Sequence, residues 1–214
     1  MAEKGQKHVG KITAATKDQI TVECCFNAAG DFCPPYIVFA GKRRSAYIHY
    51  EQFLEAFYGK STNGWMEGLC FYGFIVKLYH WIVTNKPEIK FPIIVLVDGH
   101  KSHILLETAI FCRDHGIILF IMLPGATFLM QPCDVGLNLP LKNVFKRKVT
   151  DFMVTHYQPL TRKDFPGVFK ATWDEVKQGG IAMAENTFRI CGLYPVNAEA
   201  IDYERLLTER PKRY

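Results

Sequence analysis

The stretch Phe91-Pro92-Ile93-Ile94-Val95-Leu96-Val97-Asp98-Gly99-His100 decides the fold. Residues 92–97 form an unbroken apolar run rich in β-branched side chains. That pattern predicts a strand buried on both faces, as in a parallel sheet. Ser102 is expected to cap a helix that runs to Asp114, and His115-Gly116 to end it. Residues 117–123 repeat the apolar run as a second fully buried strand. Strand, helix, strand is a βαβ unit, with parallel strands and a right-handed crossover.

Upstream, residues 19–27 alternate. Ile20, Val22, Cys24 and Phe26 fall on one face, Thr21 and Glu23 on the other, which predicts a half-buried strand. Asn27-Ala28-Ala29-Gly30-Asp31 supplies turn residues, and residues 36–39 read as a second strand, antiparallel to the first. Pro34 and Pro35 precede that strand, where a missing N–H does little harm. Residues 8–12 are expected to add a short strand. Residues 41–64 are mixed and polar, and predict a loop with one short helix. Residues 65–83 carry large apolar side chains at a spacing near 3.6, the signature of a helix. These aromatics are expected in the core rather than as a base-stacking platform.

Downstream, Pro124-Gly125-Ala126-Thr127 reads as a loop, and residues 135–156 as a helix with an irregular start near Pro140. Residues 165–178 and 181–191 are further helices, separated by Gly179-Gly180. No repeat, low-complexity stretch or linker interrupts the chain. Residues 1–214 are therefore expected to form one domain, with 135–214 as its helical C-terminal part.

Apolar residues make up 49% of the chain and charged residues 22%, a globular balance too hydrophobic for disorder. The net charge of +5 leans mildly toward anionic partners without identifying them. The seven cysteines are odd in number and no pair has C-x-x-C spacing, which suits a reducing, intracellular setting. Met1 to Lys7 has no apolar core, so no secretory signal is expected there. The longest apolar runs, 91–97 and 117–123, fall far short of the ~20 residues of a membrane span. No membrane partner is expected.

Asp98 ends the first buried strand, and functional groups of open α/β sheets gather at the carboxyl ends of strands. The alternative, that it caps the next helix, stays open on the sequence alone. Asp134, in Gln131-Pro132-Cys133-Asp134-Val135-Gly136, has the same two readings. The pair is more telling. One helix, one strand and one loop separate them, so the crossover returns the chain to the same end of the sheet. Two carboxylates there would suit Mg²⁺ or Mn²⁺, which prefer hard oxygen ligands. Paired metals clamp the attacking and leaving oxygens in phosphoryl transfer.

In these blocks the chain resembles the DDE superfamily endonuclease domain of pogo/Tigger/jerky-type transposases and the host proteins derived from them. Carrying the resemblance are Ala28-Ala29-Gly30 with Pro34-Pro35-Tyr36-Ile37-Val38-Phe39, then Gly64-Trp65-Met66 and Asp98-Gly99-His100-Lys101-Ser102-His103. Leu123-Pro124-Gly125-Ala126-Thr127, Gln131 to Gly136, Pro140-Leu141-Lys142 and Gly192-Leu193-Tyr194-Pro195-Val196-Asn197 follow in the family's order. The resemblance implies an α/β, RNase H-like mixed sheet flanked by helices, and metal-dependent cutting and joining of DNA. It makes Asp98 and Asp134 the second and third catalytic, metal-binding carboxylates, with Mg²⁺ or Mn²⁺ as cofactor. Water is then the nucleophile for cleavage, and a DNA 3′-hydroxyl for strand transfer.

The family's first catalytic Asp lies on a central strand upstream of a segment that Lys4-Gly5-Gln6-Lys7-His8-Val9-Gly10 resembles. That strand is expected to be absent here, and Asp18, Glu23 and Asp31 do not stand in its place in the pattern. Weak metal binding, a damaged sheet and lost strand cleavage follow as expectations. Phe128 also departs from the family's common His. His100 and His103 can line the site, but no third and fourth zinc ligands accompany them, and capping and packing are the expected roles, with His100 nearer the chemistry.

Lys142, Lys146, Arg147 and Lys148 form a basic cluster on the helix after Asp134, and together with His100 are the candidate DNA contacts. A solvated helix face is the alternative reading of that cluster. Arg210-Pro211-Lys212-Arg213 reads as a nuclear localisation signal or a charged terminus, and the nucleus is the expected location. The expected function is nucleic-acid binding by a transposase-derived domain, with DNA as partner and a homo-oligomer of the chain as a further candidate assembly. Two alternatives remain: a domesticated protein-interaction scaffold, or an active transposase if the sequence is part of a longer chain.

Overall fold

The structure is a computed structural model, and it describes residues 19–41, 48–123 and 125–204. The strand expected at 8–12, the Lys4 to Gly10 segment, Asp18 and the basic 210–213 stretch lie outside the described residues. The fold is mixed α/β, with two small sheets flanked by helices, consistent with an α/β nuclease-like fold.

The first sheet holds β1 (Ile20–Glu23), β2 (Tyr36–Ala40) and β3 (Phe57–Ser61), in that order. β1 and β2 are antiparallel as expected, with Ile20 opposite Phe39 and Glu23 opposite Tyr36. The regular strand is shorter than the alternation, which continues past it only as the Phe26–Phe32 bridge. β3 lies parallel to β2 within the stretch read as loop. Its sequence, Phe-Tyr-Gly-Lys-Ser, does not alternate, so no period betrays it. Gly59 is needed there because a Cβ would collide with the Tyr36 ring. The short helix expected in that stretch is the 3-10 turn Tyr50–Phe53.

One face of this sheet is covered by α1 (Gly68–Asn85), whose Phe71, Phe74, Ile75 and Leu78 pack with Tyr36 and Val38. The helix begins three residues later than expected, and Trp65 stays 60% exposed. The second sheet pairs β4 (Ile93–Val97) in parallel with β5 (Ile117–Ile121), Ile93 opposite Ile117, across α2 (Leu106–Asp114). The βαβ unit is thus as expected, but Ser102 does not cap α2. Lys101–His103 forms a separate 3-10 turn in which Ser102 is buried, and α2 starts at Leu106. Gly116, with φ +69°, ends the helix.

A single turn, α3 (Thr127–Met130), leads into a π turn at Cys133–Leu137 and then α4 (Asn138–His156). The irregular start sits at the π turn, before Pro140. Gly136 allows it, because a Cβ there would strike Thr187. α5 (Phe165–Gln178) and α6 (Gly180–Ile190) fall close to the expected bounds. Phe165, Phe169 and Trp173 of α5 pack on Ile37 and Phe39, closing the other face of the first sheet.

Two expectations about burial are corrected. β1 is not half-open, because the side that carries Thr21 and Glu23 faces α1. β4 and β5 are not buried on both sides. Val97 and Ile117 are in the core, but Ile94, Ile118 and Phe120 on the opposite face are 64%, 49% and 54% exposed. Among the described residues no helix lies over that face.

Candidate functional site

Asp98 is the first residue past β4, at the carboxyl end of the strand, where side chains leave the sheet. Its Oδ1 accepts the backbone N–H of His100 at 3.0 Å and the Nδ1–H of His103 at 2.9 Å. His103 Nδ1 also lies 3.0 Å from the Asp98 carbonyl oxygen, which can only accept, so Nδ1 carries the proton. The ring packs on Phe71 with centroids 4.3 Å apart, which fixes its orientation. The His103 hydrogen bond holds the Asp98 carboxyl below the usual carboxylate range against an opposing push from burial. Burial alone would lower the His103 pKa, but hydrogen bonds and charge from Asp98 outweigh it and raise the pKa.

His100 does different work. Its Nδ1 accepts the Ser102 backbone N–H and lies 2.7 Å from Ser102 Oγ, capping the 3-10 turn. The side chain is exposed at the rim. His103 therefore meets Asp98 through its ring, whereas His100 meets it through its backbone N–H.

Glu23 enters the same site from β1. Burial pushes its pKa up to about 7, the His103 charge pulls it back, and the Asp98 charge raises it further. Sequence reasoning set Glu23 aside for its place in the family pattern. The signal that would have found it is a carboxylate on the strand facing an aromatic helix, a place where an ionised group is costly.

Asp134 lies in the π turn, exposed, with Oδ1 accepting Asn138 Nδ2 at 2.7 Å. π turns of this kind re-aim side chains and recur at functional sites. Glu23, Asp98 and Asp134 all line one cavity of about 970 Å³, together with His100, His103 and Asn138. Asp98 and Asp134 thus both line this cavity.

The basic cluster divides. Lys142 and Lys146 are exposed on α4, continuing the spacing of four that links Asp134 and Asn138. Arg147 and Lys148 both pair with Glu175 of α5, Lys148 at 3.0 Å. That carboxylate neutralises part of the cluster. Phe128 lies half-buried in the turn before Asp134.

A hard divalent cation needs several oxygen ligands. Glu23, Asp31, Glu67, Asp98 and Asp134 line the cavity, but one oxygen of Asp98 is taken by His103, Asp31 pairs with Lys86, and burial raises the Glu23 pKa. Among the described residues no group of three or more His, Cys, Asp or Glu is arranged to hold a metal ion. The described residues do not make up a full ligand set. The seven cysteines are all free thiols, and burial pushes Cys25 up to about 12 and Cys112 to about 11, so these two are poor ligands and nucleophiles.

A curated relative from Cochliobolus lunatus, described as MFS-type transporter clz9, is 28% identical over 205 residues. The match covers 94% of this chain and 22% of the relative, so the chain spans under a quarter of that protein's length. Among the described residues no helix is long and apolar enough to cross a membrane. No solved structure matches the chain. Residues 17–184 match the family model of the DDE superfamily endonuclease, and the chain belongs to that family.

Proposed function

We propose that the chain is a transposase-derived DDE domain of the pogo/Tigger/jerky type that binds DNA in the nucleus. The reading is carried by Asp98 and Asp134 meeting at one cavity whose rim continues along α4 into exposed Lys142 and Lys146. Family members are in general divalent-metal-dependent nucleases that act on nucleic acid. Here Asp98 and Asp134 offer a weak place for Mg²⁺ or Mn²⁺, because His103 holds Asp98 and no third ligand joins them among the described residues. Metal-dependent strand cleavage is therefore expected to be lost or marginal in this chain. Lys142 and Lys146 neutralise backbone phosphates, a contact that does not depend on base sequence.

Anisotropy of a labelled duplex at 50 and 200 mM salt tests the binding. Affinity should fall steeply with salt, and Lys142→Glu with Lys146→Glu should cut it at least ~10-fold and flatten the salt slope by roughly 2. A variant that binds as tightly as the parent chain would remove this reading. Plasmid nicking in Mg²⁺ or Mn²⁺ that disappears in Asp98→Asn would show that the chemistry survives. A second reading, an interaction scaffold, is favoured by the apolar face of Ile94, Ile118 and Phe120, and predicts partner binding that salt does not weaken.

A further inference from the structure

Trp65 is set apart from the aromatics that the sequence places in the core. It stays 60% exposed just before α1, while Phe71, Phe74, Ile75 and Leu78 of that helix are buried. The other two tryptophans are covered: Trp173 is 2% exposed and Trp81 is half-buried against the first core. Leaving an indole in water forgoes a large burial gain, so an open one is informative.

The backbone under this ring is tied down on both sides. Before it, the Gly64 carbonyl accepts Thr21 Oγ1 at 2.7 Å. Gly64 itself has φ +78°, and a Cβ there would strike the Gln19 carbonyl. After it, Gly68 lies so close to Leu105 that a Cβ would touch that side chain. The segment is thus fixed between β1 and the loop that follows His103, with its largest side chain left open.

Trp65 also lines the cavity that holds Asp98 and Asp134, and α4 lines it through Asn138 and Leu141. The phosphate contacts proposed for Lys142 and Lys146 and the open indole therefore belong to elements that share one cavity. Glu67, Asp98 and Asp134 repel a phosphate drawn into it. A flat, uncharged, polarisable face meets no such repulsion, and it matches the indole. A nucleobase is such a face. Within a duplex each base is covered above and below by its neighbours, so only an unpaired nucleotide can lay its face on the ring.

We propose that Trp65 is a stacking platform for one unpaired nucleotide, so that the site takes a strand end or an opened duplex in preference to an intact one. The proposal rests on the nucleic-acid reading above and adds the substrate class. Lys142 and Lys146 hold phosphates of the paired part, and Lys101, exposed on the turn after Asp98, meets the phosphate beside the stacked base. Every base has a face, so the contact is tolerant of sequence.

The test compares a labelled blunt duplex with the same duplex carrying a short unpaired tail of thymidines, each added to the full chain at one salt concentration. Affinity is read by anisotropy, and tryptophan emission is followed in parallel. The tailed duplex should bind at least ~5-fold more tightly and quench the emission. Trp65→Ala should abolish that preference and leave the affinity for the blunt duplex within about twofold. Trp65→Phe keeps a ring, so it should retain part of the preference while losing the quench, with Trp81 and Trp173 still emitting. Equal affinity of the parent chain for the two duplexes, a preference that survives Trp65→Ala, or a quench that survives Trp65→Phe would overturn the platform and leave DNA binding standing. Binding of neither duplex would overturn the reading beneath it as well.

Discussion

The three-stranded sheet is a sandwich filling. α1 lies on one face of it and α5 on the other, and Ile37, Val38 and Phe39 of its central strand are at most 1% exposed. The two-stranded sheet is a lid with one bare side. Val97 and Ile117 reach the core, while Ile94 and Phe120 face outward at 64% and 54% exposure. The carboxylates gather at the seam between these sheets. Asp98 is supplied by the less covered sheet and Glu23 by the more covered one. One half of the molecule thus holds the fold together, and the other holds part of the site on a less supported element. Local opening is expected to start in the second sheet, where fewer apolar contacts must break.

The largest effect should come from the same truncation made once in each sheet. Ile37→Ala removes a fully buried side chain between two helix layers and should cost about 3–4 kcal/mol in urea unfolding. Ile94→Ala removes a mostly exposed one and should cost under about 1 kcal/mol. A near-equal cost at both positions would break the contrast. It would mean that the outer face of β4 and β5 is covered in solution, by a second copy or another segment.

Glu23 tests the covered side. Its folded pKa of about 7 lies above the ordinary 4.5. Between these values the folded chain keeps a proton that the unfolded chain has lost, so stability falls as pH rises through that window and stays low above it. Glu23→Gln should therefore gain about 2 kcal/mol at pH 8, part of the full shift because the side chain keeps some exposure to the cavity. At pH 4 the gain should vanish. A gain that persists at pH 4, or a loss at pH 8, would mean that Glu23 is ionised and stabilised in the folded chain.

How far the sequence could be read depended on whether a local period matched the final surroundings. The β4–α2–β5 unit was legible because long apolar runs and Gly116 act locally. α5 and α6 were legible because their apolar stripes have one partner layer each. β3 was not, since Phe-Tyr-Gly-Lys-Ser owes its place to Tyr36 across the sheet rather than to a pattern of its own. The faces of β1 and β4 were misread for a shared reason. Alternation and continuity report what a strand can tolerate on each face, while the helices decide what each face meets. At the site, Asp98 and Asp134 were visible from spacing and resemblance. Glu23 and the ring contact of His103 were not, because the first depends on β1 facing α1 and the second on Phe71 packing beneath the ring.

The smallest effect probes the bare sheet through its loop. His103→Leu keeps a side chain on Phe71 but removes the donor to Asp98. The raised His103 pKa means that its share of the stability is complete below the ordinary value of about 6.5 and is lost as pH climbs through the folded value. The lowered Asp98 pKa means that its share is complete above the ordinary carboxylate value of about 3.9 and is lost as pH falls through the folded value. The pair is therefore whole between about pH 4 and 6.5. Asp98 is 41% exposed, so water screens the pair and the variant should lose only about 1 kcal/mol in that window, less at pH 9. The carboxyl of Asp98, followed by NMR titration, should move back up toward the ordinary value. Amide exchange should quicken in 98–103 and leave β2 unchanged, because the broken contact belongs to the sheet with one bare face. Equal quickening in β2 would show that the two sheets open as one unit, and the division between them would then have no energetic meaning.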